Sequence, residues 1–185
     1  MKHFSHEFIE ACRKGDSAKQ KELFESLYAP MFRVCHRYAG QHADAEDCLM
    51  KGFMKVFQNI QKFRYENEKS LFVWIRKIMV NESLMFIRQK HNFLLSIEEQ
   101  YADVSMDAEV ISGMEAEELN LLILSLPTGY RTVFNLNVVE GFDHGEIAGM
   151  LGITESTSRT QLAKAKARLK SMLQQNSISN EKSGR

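Results

Sequence analysis

Residues 143–170 read DHGEIAGMLGITESTSRTQLAKAKARLK, and this stretch decides the fold of the C-terminal part of the chain. Apolar residues at helical spacing give a short first helix one buried face. Gly152 then supplies a turn position where a positive φ costs little, and a second helix opens at Thr154 or Glu155. A short helix, a glycine turn and a second helix together predict a helix-turn-helix.

The second helix of this motif presents a basic face. Five cations fall within twelve residues that contain no acid: Arg159, Lys164, Lys166, Arg168 and Lys170. The first turns of the same helix offer hydroxyl and amide side chains: Ser156, Thr157, Ser158, Thr160 and Gln161. Cations neutralise phosphates, and short polar side chains meet phosphates or base edges, so the pattern predicts a DNA-binding helix. A solvated amphipathic helix would explain the charge but not the turn before it.

Helical spacing recurs through the rest of the chain, and no stretch alternates apolar and polar residues convincingly over the length of a strand. Three segments predict long helices: residues 17–38, 49–60 and 71–90. Ser70 is the expected N-cap of the third helix. Two further helices are expected to end at Pro127 and Gly141. We therefore predict an all-α fold of two small helical domains.

The charges are distributed unevenly, although 24 basic residues cancel 24 acidic ones. Residues 1–91 carry a net charge of +5, residues 92–126 carry −8, and residues 127–185 carry +3. The acidic stretch is either a solvated tether or a segment that mimics nucleic acid or threads a basic channel.

These observations give a domain plan: an N-terminal domain 1–91, an acidic linker 92–112, a C-terminal helix-turn-helix domain 113–175 and a polar tail 176–185.

Several classes of protein are excluded by what the sequence lacks. No apolar run approaches the ~20 residues of a membrane crossing, and the first residues have no signal-peptide core, so we expect a cytoplasmic chain without direct membrane insertion. Cys12, Cys35 and Cys48 suit neither a disulfide framework nor a zinc site and are expected to be reduced core thiols. Without a metal-binding HExxH, a glycine-rich phosphate loop or a nucleophile elbow, we expect no enzymatic activity and no cofactor.

The string LPTGYRTVFNLNVVEGFDHGEIAGMLGITESTSRTQLAKAKARLK resembles the C-terminal domain of bacterial extracytoplasmic-function sigma factors, a branch of the sigma-70 family. The family pattern there runs LP, aromatic-Arg, EG, EIA, LGI and a basic tail. The segments ELFESLYAPMFRVCHRYAG, DAEDCLMKGFMKVFQNIQKFR and SLFVWIRKIMVNESLMFIRQK are similar to the N-terminal domain of the same family. The segments stand in the family's order.

The resemblance implies a dissociable specificity subunit of RNA polymerase. Its partners would be core RNA polymerase and promoter DNA, with an anti-sigma factor as a further partner expected from the family alone. The N-terminal domain would bind the polymerase clamp and melt the minus-10 promoter element, and the C-terminal domain would read the minus-35 element.

Matching positions assign polymerase binding to Asp44, Glu46 and Asp47, on the helix that also holds Phe53 and Phe57. We expect the acids to be exposed and the two phenylalanines to be core. An alternative is that the three acids are simply favoured by the dipole at a helix N-terminus.

Matching positions also assign DNA binding within the N-terminal domain. The assigned residues are Arg64, Tyr65, Arg76, Lys77, Asn81 and Arg88. Arg64 and Tyr65 begin a polar loop that matches the family's specificity loop, in which an unstacked promoter base is held. We expect Trp74 to be core and Tyr65 to be the more exposed aromatic residue.

In the C-terminal domain the assigned DNA contacts are Ser156, Thr157, Ser158, Arg159, Gln161, Lys164, Lys166 and Lys170. Gln161 stands where the family usually has arginine, and residues 50–52 (Met-Lys-Gly) replace a glutamine, an acid and an apolar residue. Both departures bear on affinity for promoter or polymerase.

Two other functions are compatible with parts of this pattern. A helix-turn-helix regulator that acts without polymerase would dimerise on palindromic half-sites, and its first domain would carry strands or a ligand-pocket signature. A helical scaffold would need no DNA contact.

Overall fold

The computed structural model describes residues 4–90 and 116–183. The predicted acidic linker, residues 92–112, lies outside the described residues. The described part of the chain is helical, which confirms the all-α prediction. The chain divides into two compact units, Met1–His91 and Asn92–Arg185, and each is described here by itself.

The N-terminal unit is a bundle of three long helices with a short helix before them. Its helices are α1 (His6–Arg13), α2 (Ser17–Ala39), α3 (His42–Asn59) and α4 (Glu68–Lys90), with a 3-10 turn at Ile60–Lys62. Helices α2, α3 and α4 pack pairwise against one another, and α1 packs against α2 and the 3-10 turn. Three long helices were predicted and three are present, but α3 begins at His42, seven residues before the predicted segment, and α4 begins at Glu68, three residues before it. Helix α1 was not predicted.

The interior of this bundle is apolar and closely packed. Leu23, Leu49 and Ile75, one from each long helix, are fully buried. Gly52 allows α3 to approach α4, because a Cβ at this position would lie 2.3 Å from the Sδ atom of Met79. The sequence departure at Gly52 is therefore a packing feature.

The N-cap prediction for α4 is wrong. The helix begins at Glu68, so Ser70 lies in its first turn. The Asn67 side chain accepts a hydrogen bond from the Ser70 amide at 2.9 Å, and the Ser70 hydroxyl oxygen accepts one from the Asn67 amide at 3.2 Å. This reciprocal pair satisfies the free amides of the helix N-terminus and starts the helix earlier.

The C-terminal unit is built around one long helix. Its helices are α5 (Ala116–Leu124), α6 (Thr128–Phe134, continued by a π-helical turn at Asn135–Val139), α7 (His144–Leu151) and α8 (Glu155–Ser183). Helix α8 packs against α5, α6 and α7. The backbone of residues 176–183 continues α8, so this part of the predicted tail is helical.

The turn between α7 and α8 has the predicted geometry. Asp143 and Glu146 form a capping box at the start of α7. Gly152 ends the helix in the left-handed region at φ 68°, which is strained for residues with a Cβ. The Thr154 hydroxyl then accepts a hydrogen bond from the amide of Thr157 at 3.0 Å, so Thr154 caps α8.

Neither a membrane helix nor a metal cluster occurs in the described ranges. No helix there combines the length and apolar character of a membrane crossing. In residues 4–90 and 116–183, no three His, Cys, Asp or Glu side chains are grouped to hold a metal ion.

Candidate nucleic-acid interface

The start of α8 presents a small polar surface to solvent. Ser156 and Arg159, one turn apart, are exposed, and Thr157 is half-buried. The Arg159 guanidinium pairs with the Glu155 carboxylate at 2.5 Å, with both side chains more than half exposed. An exposed pair of this kind is worth about 0–1 kcal/mol, so Arg159 can exchange its partner for DNA at little cost.

Three of the predicted DNA contacts on α8 are buried and require correction. Ser158 is fully buried, and its hydroxyl lies 2.8 Å from Nδ1 of His144 on α7. Gln161 is 4% exposed and packs against Gly129 of α6, where a Cβ would lie 2.8 Å from its Oε1 atom. Lys164 is 8% exposed. In this conformation Ser158 contacts α7 and Gln161 contacts α6, and all three side chains are largely withdrawn from solvent.

Further along α8, basic side chains remain accessible. Arg168 is exposed, and Lys166 and Lys170 are half-buried. Buried alkyl stems with the ammonium groups near the surface are typical of lysines on a packed helix. This segment can neutralise phosphates without reading bases.

In the N-terminal unit, aromatic residues surround the start of the loop before α4. Phe63 is buried and stacks on Trp74, with ring centroids 4.5 Å apart and planes at 20°. Trp74 is half-buried, so its assignment to the core is only partly right.

The two residues after Phe63 differ in how far solvent reaches them. Tyr65 is half-buried like Trp74, and its hydroxyl donates to the backbone carbonyl of Phe4, so the expectation that Tyr65 is the more exposed ring is not confirmed. Arg64 is exposed beside it.

A polar stripe runs along α4 from this loop. Lys77, Asn81 and Arg88 are exposed and, at spacings of four and seven residues, lie on one face of the helix. From Lys77 to Arg88 the stripe spans about 16 Å, which covers several phosphates. Arg76 is half-buried on a neighbouring face.

Helix α3 carries the acids assigned to polymerase binding. Glu46 and Asp47 are exposed, and Glu46 accepts a hydrogen bond from the Tyr28 hydroxyl at 3.1 Å. Asp44 differs from the prediction: its side chain is 21% exposed and pairs with Lys90 of α4 at 2.6 Å. On the same helix Phe53 is buried as expected, while Phe57 is half-buried.

An exposed methionine cluster lies beside these acids and was missed in the sequence. Met50, Met54 and Met85 are 52%, 59% and 44% exposed, and a cavity of about 330 Å³ between α3 and α4 is lined in part by Met54, Met85 and Phe86. Contiguous exposed methionines are typical of adaptable protein-binding surfaces. The sequence could have indicated this cluster, because Met50 and Met54 are apolar residues that lie outside the buried apolar stripe of α3.

Comparisons with known proteins match each unit separately. The family description "Sigma-70 region 2" matches residues 23–93, and "Sigma-70, region 4" matches residues 116–169. The chain is 25% identical over 178 residues to "ECF RNA polymerase sigma factor SigW" of Bacillus subtilis, which covers 89% of this chain and 94% of the relative.

Two further comparisons cover a similar share of the chain. It is 25% identical over 168 residues to "ECF RNA polymerase sigma factor SigM" of Mycobacterium tuberculosis, covering 90% of this chain and 83% of the relative. A solved structure, "Structure of CnrH in complex with the cytosolic domain of CnrY", aligns with 16% identity and a TM-score of 0.48 over 90% of this chain and 95% of that one.

The C-terminal unit contains a helix-turn-helix, and the N-terminal unit carries an exposed polar stripe beside a loop. The match to region 2 precedes the match to region 4 along the chain. This chain belongs to the sigma-70 family, in its extracytoplasmic-function branch.

Proposed function

We propose that this chain directs core RNA polymerase to specific promoters and assists promoter melting, without enzymatic activity of its own. The observation that carries the proposal is the occurrence of region 2 and region 4 matches in one chain, on separate compact units. The region 2 match also disfavours a helix-turn-helix regulator that acts alone, since such a regulator has no need of this unit.

The exposed face of α3 is the proposed polymerase contact. Asp47, Met50 and Met54 lie on this face at spacings of three and four residues and are all exposed. Acidic and adaptable apolar side chains together suit a protein partner better than a nucleic acid, whose phosphates would repel Asp47. Asp44, already neutralised by Lys90, contributes less.

The loop before α4 and the stripe on α4 are the proposed minus-10 contacts. Arg64 and the stripe residues Lys77 and Arg88 supply exposed cations, and Asn81 supplies an amide between them. Tyr65 and Trp74 offer half-exposed rings beside the loop, and a ring face is what an unstacked base needs.

Helix α8 is the proposed minus-35 reader. Ser156, Thr157 and Arg159 form its accessible N-terminal turn, and Lys166 and Lys170 follow near the middle of the helix. In a helix-turn-helix the N-terminal residues of the second helix meet base edges, which assigns base reading to the first group and phosphate contact to the second. An anti-sigma factor remains a prediction from the family.

The polymerase contact is tested by co-elution of the full chain with core RNA polymerase in size-exclusion chromatography. Asp47→Lys should lower the co-eluting fraction about tenfold, because it reverses a charge on the docking face. The matched control is Glu25→Lys, which reverses an exposed acid on α2 that pairs at 3.7 Å with Lys21. Equal retention of both variants would remove α3 from the interface, and failure of the unsubstituted chain to co-elute would contradict the proposed function.

A further inference from the structure

The short helix α1 is joined by hydrogen bonds to the turn before α4. The Nε of Arg13 donates to the carbonyl of Ile60 at 3.2 Å, and its Nη2 donates to the carbonyl of Phe63. In return, the side-chain amide of Gln61 donates to the carbonyl of Arg13. The C-terminal end of α1 and the 3-10 turn therefore hold each other reciprocally.

The residues that precede α1 hold the far end of the same loop. The backbone amide of Phe4 donates to the Glu68 carboxylate at 2.5 Å, and its carbonyl accepts from the Tyr65 hydroxyl. The His6 ring meets the Tyr65 ring edge-on, with centroids 6.0 Å apart. The segment Phe4–Arg13 thus contacts the chain at both ends of residues 64–67.

Between these anchors the loop remains open to solvent. Arg64, Glu66 and Asn67 are exposed, while Phe4, Ile9 and Cys12 of the N-terminal segment are buried. The segment Phe4–Arg13 therefore has its own apolar attachment to the bundle. Besides this segment, the loop is held by the Ser70 hydroxyl, which accepts hydrogen bonds from the amides of Glu66 and Asn67 at 3.4 and 3.2 Å. A loop fixed before its ligand arrives loses less conformational entropy on binding than a free one.

We propose that Phe4–Arg13 is a positioning element for promoter melting, in which Arg13 and the Phe4 backbone hold residues 64–67 in the shape that receives an unpaired base. The inference rests on the proposed function and extends it to a segment outside the matched regions. Arg13 does not touch DNA in this account; it acts through the carbonyls of Ile60 and Phe63.

The first test measures open complexes formed by the reconstituted polymerase holoenzyme on a promoter found by mapping start sites with the unsubstituted chain. Arg13→Gln should reduce permanganate-reactive thymines on linear duplex about tenfold, which corresponds to ~1.4 kcal/mol. On the same promoter with a pre-melted bubble, Arg13→Gln should lose less thymine reactivity. The bases there are already unpaired, so binding of an unpaired base by the loop is not needed to open the duplex. Lys14→Gln, an exposed cation next in sequence, is the matched control and should behave as the unsubstituted chain.

A second measurement addresses the loop directly and needs no polymerase. Amide hydrogen exchange of residues 64–67 should quicken in Arg13→Gln, while protection of α2, α3 and α4 stays unchanged. If Arg13→Gln does not fold, Tyr65→Phe removes one anchoring hydroxyl while keeping the ring and should give a smaller change in the same direction.

The outcomes separate this inference from the proposed function. The positioning role would be overturned if Arg13→Gln and Lys14→Gln opened the linear duplex equally well. It would also be overturned if Arg13→Gln lost as much thymine reactivity on the pre-melted bubble as on the duplex. Unchanged exchange in the loop would overturn it as well. Absence of open complexes with the unsubstituted chain would instead contradict the proposed function, and the inference would fall with it.

Discussion

Arg131 carries its charge into the interior of the C-terminal unit, where 7% of its surface remains exposed. Its Nη1 donates to the carbonyls of Leu124 and Leu126 at 2.8 and 3.2 Å. These carbonyls lie at the end of α5, where no helical amide follows to bond them. Burial lowers the pKa of Arg131, but the ordinary value is so high that the side chain stays protonated. The arginine of the family pattern is thus a helix cap here.

We expect Arg131→Met to destabilise the C-terminal unit by about 2 kcal/mol, because the carbonyls of Leu124 and Leu126 lose their donor. The chain has one tryptophan, Trp74, in the N-terminal unit, so tryptophan fluorescence reports that unit alone. In urea titrations the circular dichroism transition of the C-terminal unit should shift while the fluorescence transition stays in place. Arg159→Met, which loses an exposed pair, is the control; an equal effect of both variants would refute the capping role.

The three cysteines are buried thiols, as the sequence predicted. Burial raises the pKa of Cys35 to about 12 and those of Cys12 and Cys48 to about 11. The hydroxyl of Ser83 contacts both Cys35 and Cys48 and partly offsets this effect. Between about pH 9 and pH 11 the folded chain therefore keeps thiol protons that the unfolded chain releases.

This difference predicts a pH dependence of stability. The folded pKa exceeds the unfolded one, so the stabilisation is complete below about pH 9 and is lost as pH rises towards 11–12. Between pH 9 and 10 the free energy of unfolding of the N-terminal unit should fall more steeply than in Cys35→Ala, by at most about 1.4 kcal/mol per pH unit. Urea titrations followed by Trp74 fluorescence measure both slopes. Identical slopes would mean that Cys35 does not titrate differently in the two states.

Local sequence patterns correctly predicted those features of the helices that depend only on residues close together in the chain. The ends of α2 and the glycine turn before α8 follow from helical spacing, Gly152 and Thr154, which act within a few residues. Helix α1 was missed because it is eight residues long and is held by distant partners such as Ile60.

The α4 start was misjudged because Asn67 and Ser70 are both good capping residues, and only the actual pairing decides between them. Side-chain roles on α8 were harder still to predict. Ser158 and Gln161 have the residue types of DNA contacts, but tertiary packing against His144 and Gly129 buries both. Helix α8 packs against three other helices, so a single apolar stripe in the sequence does not predict which of its side chains are buried.

The division of roles along α8 gives a prediction for this element. Lys166→Ala and Lys170→Ala should weaken binding to all DNA sequences alike. Each should reduce the magnitude of the negative slope of log K against log salt by roughly 0.9. Arg159→Ala should cost about 1–3 kcal/mol on the preferred site and less on scrambled DNA, if it meets a guanine edge. Salt titrations with the full chain in the polymerase holoenzyme measure both effects. Equal losses on both DNAs for Arg159→Ala would assign it to phosphate as well.

For the whole molecule, recognition is divided between two units on one chain. Each basic region carries a modest net charge, +5 for residues 1–91 and +3 for residues 127–185, so neither unit alone has the charge of a strong non-specific DNA binder. Two weak contacts on one chain add in free energy when a scaffold holds both at their sites. In the proposed function, core polymerase is that scaffold. Promoter choice should then require both units and the polymerase together.

The measurement that tests this account most directly is start-site mapping of transcripts made by core RNA polymerase with the full chain on genomic DNA. We expect new start sites whose upstream sequences share two elements at constant spacing. Asn81→Ala should relax the preference in the start-proximal element, and Arg159→Ala should relax it in the distal one. Start sites unchanged by adding the chain, or a single element altered equally by both variants, would contradict the account.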